Sequence, residues 1–503
     1  GPGVPSILHA MSQRRGRIKR IWMFSPLITS ALSVGLGGSG GLEAPSLQAA
    51  AAVGSEIGRQ TKRTFKRRML LIGCAAAASL AALFKAPVAA IIFAVEVIMI
   101  DLTAASLVPL LLASLTALIT AELFLGDHDV LSTPVLENFE LSRLPLYLLL
   151  GLVCAVGSVV FSKVYLGASH AVLKMRTPRI RIWVAGTVIG AAVVFFPSLY
   201  GEGYDVVNGL FDGHSTLLAG DMTMNQMDPK GWWLIGCLLL AWILKPILTG
   251  MTVGAGGVAG IFAPAIFCGA LLGYVYSLGL EQIFGTEVLP VGNAVLAGIG
   301  GMLAGVLHAP LTAILLAAEV SGGYALFVPV MLTSAISFQI AKWWVRHSIY
   351  TQELAERGEL LTHDKDHSVL TLMKLKDEIE YDHEVVQAHW TLGQMIPIIE
   401  RSVHSLFPVL DEKGVLLGVV DLQEIREIMF DRELYDEIKV HEFMTLPQGV
   451  LDSQTKMEKV MFEFERTEAW YLPVQTKGVF VGFVSRTRLF NTYRKWLQES
   501  SLN

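Results

Sequence analysis

The first 350 residues form a succession of apolar stretches broken by runs of glycine, and this pattern restricts the fold more than any other feature. The stretches cover residues 22–36, 68–84, 86–100, 103–125, 144–168, 183–199, 232–250, 257–281, 294–317 and 323–343. A helix that spans a bilayer needs about 20 residues. Several of these stretches have only about 15, which reach roughly 22 Å as helix. Such helices must stop part-way or tilt. Glycine runs fall among them at Gly35–Gly41, Gly254–Gly260 and Gly298–Gly305. Irregular backbone at membrane depth survives only where it is packed in protein or lines an aqueous path. The pattern predicts a polytopic α-helical membrane protein with broken, tilted helices, built as a transporter or pore.

The charge distribution agrees. Residues 1–350 carry 22 basic and 17 acidic side chains, and residues 351–503 carry 17 and 27. The first part is thus about 11% charged, against a globular norm of about 25%, and the second about 29%. A purely soluble enzyme, a disordered chain and a secreted disulfide scaffold are excluded. The acidic tail argues against nucleic acid as a partner. The clusters Arg14–Arg20 and Arg59–Arg68 place their ends of the helices on the cytoplasmic side by the positive-inside rule. Binding to anionic lipid puts them on the same surface. Cys74, Cys154, Cys237 and Cys268 lie in apolar runs without metal spacing, so they read as buried thiols and no metal site is expected.

Both parts repeat internally. Phe84–Val97 (FKAPVAAIIFAVEV) and Leu307–Val320 (LHAPLTAILLAAEV) match at seven of fourteen positions with an offset of 223. Gly41-Leu42-Glu43-Ala44-Pro45 aligns with Gly260-Ile261-Phe262-Ala263-Pro264 at an offset of 219. A duplicated transporter with its site at the repeat interface has this signature. In the tail, Phe407–Val420 matches Leu472–Val484, with Gly414/Gly478 and Gly418/Gly482 both 64 apart. Each tail unit reads as strand, glycine turn, strand and amphipathic helix, the helices at Leu422–Phe430 and Thr487–Trp496. The expected division is 1–361 for the membrane part, 362–382 for an acidic linker, and 383–503 for the paired units, at about 383–432 and 440–497.

Helix N-termini carry unpaired N–H groups and partial positive charge, and glycine lets backbone approach a ligand. Several such ends converging at the midplane make an anion site without a buried lysine or arginine. Glu43 sits at a predicted helix start inside a glycine-rich break. It reads either as a side chain that competes with the anion and moves aside, or as a carboxylate that caps the helix. Glu96 and Glu319 occupy equivalent repeat positions, which favours a structural role such as bonding to nearby backbone N–H groups.

Taken together, these residues resemble the CLC family of chloride channels and proton-coupled chloride transporters. Gly1-Pro2-Gly3-Val4-Pro5 resembles the family's GSGIP, Gly41–Pro45 its GREGP or GKEGP, and Gly260–Pro264 matches GxFxP. Tyr350 matches the tyrosine of the final helix, and the tail is similar to paired CBS domains. The resemblance implies that Glu43 gates. It also implies that Gly1, Pro2, Gly3, Gly260, Ile261, Phe262 and the Tyr350 hydroxyl surround the anion. It further implies a homodimer in a bilayer, expected in a bacterial inner membrane with the CBS tail cytoplasmic. Family members have further helices before the first motif, so N-terminal helices are expected to be missing here.

Three departures bear on function. Val97 stands where exchangers usually carry a proton-passing glutamate, which favours a passive channel over exchange. Pro2 replaces a serine hydroxyl and resembles members that favour nitrate. Leu42 and Ala44 replace a charged residue and a glycine beside Glu43. In the tail, Glu424 is placed to hold a nucleotide ribose, whereas Arg488 is no acceptor. No cofactor is required; an adenine nucleotide at the CBS units and a purely structural dimerisation module are the two alternatives there. The resulting expectation is a gated chloride or nitrate channel and not an enzyme. A proton-coupled antiporter is the alternative, and a membrane sensor acting through its tail is the third reading.

Overall fold

The computed structural model describes residues 3–100, 103–126, 130–131, 136–211, 232–357, 359, 370 and 373–501. Gly1 and Pro2 lie outside the described residues, as do residues 362–369, 371 and 372 of the expected linker. Two compact units divide the chain, residues 1–360 and 361–503.

Among the described residues, the named elements of the first unit are all helices. Its elements are α1 (Val4–Gln13), α2 (Ser25–Gly35), α3 (Glu43–Gln60), α4 (Phe65–Phe84), α5 (Pro87–Glu96), α6 (Ala104–Leu125), α7 (Leu144–Leu173) and α8 (Pro178–Phe195). They continue as α9 (Tyr204–Phe211), α10 (Trp232–Gly254), α11 (Phe262–Phe284), α12 (Val291–Leu307), α13 (Pro310–Val320), α14 (Phe327–Trp344) and α15 (Gln352–Arg357). Six helices among the described residues are long and apolar enough to cross a membrane. The short stretches stop part-way, as their lengths predict. Residues 86–100 give only the ten-residue α5, and 294–317 breaks into α12 and α13.

The breaks are encoded twice. Lys85 and His308 end α4 and α12 in the left-handed conformation, at φ 52° and 57°. Ala86 and Ala309 are then pushed out of the helical region by the prolines that follow, which open α5 and α13. Each short helix has orphan N–H groups at its head, and the opposite repeat satisfies them. Glu96, at the end of α5, accepts from Leu311 N (3.0 Å), Thr312 N (2.8 Å) and Thr312 Oγ1 (2.7 Å) at the head of α13. Glu319, on α13, accepts from Val88 N (3.0 Å) and Ala89 N (2.7 Å) at the head of α5. This reciprocity is what an axis relating two inverted repeats produces. The structural role expected of the two glutamates is therefore what the structure shows.

Glycines set how closely the long helices pack. A Cβ on Gly269 of α11 would lie 2.7 Å from Gly298 O on α12, and one on Gly298 would strike Gly269 O. Such backbone contact is the main attraction available to helices in lipid.

The second unit holds two three-stranded sheets of identical order. They are β1 (Val386–Gln387), β2 (Leu406–Leu410) and β3 (Leu416–Asp421), then β4 (Leu451–Asp452), β5 (Tyr471–Thr476) and β6 (Val479–Ser485). In each, the first pair is parallel (Val386↔Val409, Leu451↔Val474) and the second antiparallel (Pro408↔Val419, Pro473↔Phe483). The first core gathers Met395, Phe407, Val409 and Val420; the second gathers Val460, Phe464, Leu472 and Val484.

The sheets also exchange edges. Thr445, before the second sheet, pairs with Val419 of β3, and Glu380, before the first, pairs with Phe483 of β6. A Cβ on Gly418 would lie 3.0 Å from Thr445 O, and one on Gly482 would strike Glu380 O. The repeated glycines thus make room for these straps. The described end of the expected 362–382 linker is part of a core, since Met373, Leu375 and Ile379 pack in the second cluster.

One sequence expectation fails here. Leu422–Phe430 is a chain of turns, not a helix. Asp421 Oδ1 accepts from Gln423 N at 2.9 Å, and the following bonds alternate between three- and four-residue spans, so no regular ladder forms. Its counterpart is a true helix, Arg486–Ser501.

Replacing Glu319 with Ala leaves two N–H groups at the head of α5 without their acceptor. The expected cost is about 1–3 kcal/mol per orphaned donor, with Glu319→Gln milder. Thermal unfolding of the purified protein in detergent measures it, and an unchanged midpoint would contradict the reciprocal capping.

Candidate functional site

The heads of α3 and α11 meet at a two-residue antiparallel bridge. Gly41 N donates to Gly260 O (2.9 Å), and Gly260 N donates to Gly41 O (2.7 Å). The residues before the two helices, Leu42 and Ile261, share a conformation: φ −92°, ψ −6° and φ −94°, ψ −6°. A third helix head joins them. Gly3, at φ 83°, precedes α1, and a Cβ there would lie 2.9 Å from Ala44 Cβ. Gly3 N donates to Gln48 Oε1 of α3 at 2.8 Å, and both are buried. A Cβ on Gly260 would also press Ala44 Cβ at 2.9 Å. Three helix N-termini therefore converge on the Gly41–Ala44 turn, as the glycine-proline motifs predict.

Glu43 is the first residue of α3 and is buried. Its carboxylate lies against Gly41, and its own backbone N–H and that of Ala263 face it. One oxygen, Oε1, accepts from the Tyr204 hydroxyl at the start of α9. The other, Oε2, is buried and has no side-chain partner among the described residues. Glu202 lies beside this pair and accepts from Leu42 N at 3.0 Å. A line of rings runs from the site. Phe84 meets Tyr204 at 6.2 Å and Phe262 at 5.3 Å, and Phe262 meets Phe93 of α5 at 6.3 Å. Val97 ends α5, buried, one turn beyond Phe93.

Of the residues singled out from sequence, Gly3, Glu43, Gly260, Ile261 and Phe262 come together here. Tyr350 is buried within electrostatic range of Glu43, and its hydroxyl has no partner among the described residues. Glu424, the proposed ribose contact, is exposed on the turns after β3. Its counterpart Arg488 faces Glu378 (3.7 Å) and Glu380 (3.8 Å).

Sequence reasoning missed three residues: Glu202, Tyr204 and Lys245. The expectation of a site without a buried cation needs correcting. Lys245, in the middle of α10, is fully buried. Its Nζ donates to Gly201 O (2.8 Å) and Leu199 O (3.3 Å) and lies 4.8 Å from the Phe267 ring centroid. These bonds brace the 199–203 loop that carries Glu202 and leads into Tyr204. The signals were present. An ionisable residue inside a 23-residue apolar helix is a functional candidate by default. Gly201-Glu202-Gly203-Tyr204 is another glycine-rich turn before a helix, with both glycines at positive φ.

The family model described as "Voltage gated chloride channel" matches residues 1–342, and the model "CBS domain" matches 379–431. The chain belongs to the voltage-gated chloride channel (CLC) family. It is 32% identical over 337 residues to the "Putative chloride channel protein ClcB-like" of Ralstonia nicotianae, covering 66% of this chain and 74% of the relative. It is 30% identical over 367 residues to the "H(+)/Cl(-) exchange transporter ClcA" of Vibrio cholerae, covering 70% and 74%. Its fold is similar to that of a slow cyanobacterial Cl-/H+ antiporter, with TM-score 0.60, 24% identity and coverage of 71% of this chain and 81% of that one. A eukaryotic CLC transporter aligns with 97% of this chain and 84% of its own, with TM-score 0.59 and 20% identity. This CLC protein is thus a polytopic membrane protein with a CBS-containing tail.

Gln48 ties the head of α1 to α3 through one buried bond. Gln48→Leu orphans Gly3 N, at an expected cost of about 1–3 kcal/mol. Faster amide exchange over residues 3–7 than over the core of α3 would report the detached helix head; exchange unchanged from the parent would contradict it.

Proposed function

We propose that this protein passes chloride-class anions across the membrane at the joined heads of α1, α3 and α11, with Glu43 as the gate. The observation that carries the reading is the buried Glu43 carboxylate at that junction, with one oxygen on Tyr204 and the backbone N–H groups of Glu43 and Ala263 facing it. Converging helix N-termini favour a negative group. In this conformation the group is Glu43 itself, so a mobile anion must take its place. Tyr204 holds the closed arrangement, and Lys245 fixes the loop from which Tyr204 starts.

Passive conduction is the mode that the residues beyond the gate favour. The route from Glu43 toward Val97 passes Phe84, Phe262 and Phe93, and Val97 has no exchangeable proton. Its neighbour Glu96 cannot substitute, because it is committed to the head of α13. Proton-coupled exchange is the second reading. The Vibrio cholerae relative and the cyanobacterial antiporter carry that activity in their descriptions, and Glu202 offers a second carboxylate beside Glu43. A homodimer with one pathway per chain, and a cytoplasmic tail, belong to the same proposal.

Reconstituted full-length protein tests both parts. Under passive conduction, the reversal potential follows the chloride gradient at every imposed pH difference. Chloride driven uphill by a proton gradient would establish exchange instead. Glu43→Gln is expected to change the chloride flux several-fold, and no change would remove Glu43 from the gate. Tyr204→Phe deletes a charge-assisted bond of about 1.5–3 kcal/mol and should raise gate opening about tenfold or more.

A further inference from the structure

Outside the membrane pathway, the second unit brings two imidazoles and a carboxylate together. The donor atoms of Glu380, His383 and His404 all lie within 4.8 Å of one another. His383 Nε2 is 3.9 Å from Glu380 Oε2, and the His383 and His404 ring centroids are 4.1 Å apart. The His383 side chain is only 2% exposed, yet neither ring nitrogen has a hydrogen-bond partner. A buried imidazole must carry at least one N–H, and an orphaned donor costs about 1–3 kcal/mol. Such an unsatisfied group in a native interior calls for a ligand.

We propose that Glu380, His383 and His404 form a binding site for a divalent transition metal of the zinc class. Two imidazoles and one carboxylate are a zinc donor set, leaving a fourth position for water. Tetrahedral bonds of about 2.0–2.1 Å place donors roughly 3.3 Å apart. The 3.9 Å pair is already near that value, and side-chain rotation of Glu380 and His404 closes the rest.

The surroundings fit. Glu380 is pinned by its backbone pairing with Phe483, and its Oε1 faces Arg488 at 3.8 Å, which orients the carboxylate. Phe483 closes over His383, with ring centroids 4.8 Å apart. Ser402 joins the ligand segments, donating to Glu384 Oε2 at 2.6 Å and accepting from His404 N at 3.0 Å. The ligands come from both sheets: Glu380 rides on β6, and His404 leads into β2. A bound metal therefore fastens one CBS unit to the other.

The test uses full-length protein in detergent, stripped with chelator and given Zn²⁺ alone, then Co²⁺ as a spectroscopic probe. One tight zinc per chain is expected, with the visible absorption of tetrahedral cobalt. His404→Gln changes a half-buried ligand, and Glu380→Gln keeps the shape of another. Each should weaken zinc binding by about 100-fold or more, above the loss typical for an outer-shell contact. His441→Ala, at an exposed histidine elsewhere in the tail, should leave it unchanged. Zinc held equally by the parent and His404→Gln, or no zinc held by the parent, would overturn the site.

Discussion

Reciprocal donation between repeats is the interaction on which the rest of this structure depends. A helix that stops inside a membrane exposes backbone groups that lipid cannot satisfy. In this protein each repeat completes the other. Glu96 caps α13, Glu319 caps α5, and Gly41 and Gly260 exchange both of their backbone bonds. Neither repeat can satisfy its own broken helices alone, so the broken backbone and the pairing of the repeats are one requirement. The proposed anion site follows from it, because the same bridge aims α3 and α11 at one point.

Charge is used sparingly, but it is not absent. The proposed pathway sets the partial charges of helix heads against the carboxylates of Glu43 and Glu202. Lys245 stands behind the loop, its Nζ donating to two carbonyls. The lysine thereby supports a backbone conformation. A neutral side chain of similar length could fill the space without holding the loop that carries Tyr204.

Much of this was legible in the sequence because it depends on backbone conformation. Glycine and proline mark breaks directly, and duplication revealed which breaks correspond. Thus the heads of α1, α3 and α11, the truncated α5 and α13, and the capping role of Glu96 and Glu319 were all readable. What each glutamate would bond to was not, since the partner lies more than 200 residues away. Tyr204 and Lys245 were passed over for a similar reason. Their roles arise from a loop folded between distant helices, and only the oddity of a lysine in an apolar run hinted at them. In the tail, β1 and β4 are two residues long, too short for any periodicity. Leu422–Phe430 has a helical pattern of apolar residues, but the Asp421 side chain captures Gln423 N and diverts the chain into turns.

The exchanged straps of the tail carry a consequence for how such a domain can be altered. Residues 373–380 precede the first CBS unit but finish the core and edge of the second, while Thr445 does the converse. Domain boundaries drawn along the sequence therefore cut across the folded objects. A truncation after the first unit would not deliver half of the tail. It would strand Met373, Leu375 and Ile379 without a core and strip Thr445 from β3. The two units must be inherited, deleted or transplanted together, and the portable segment begins near residue 373, upstream of either sheet.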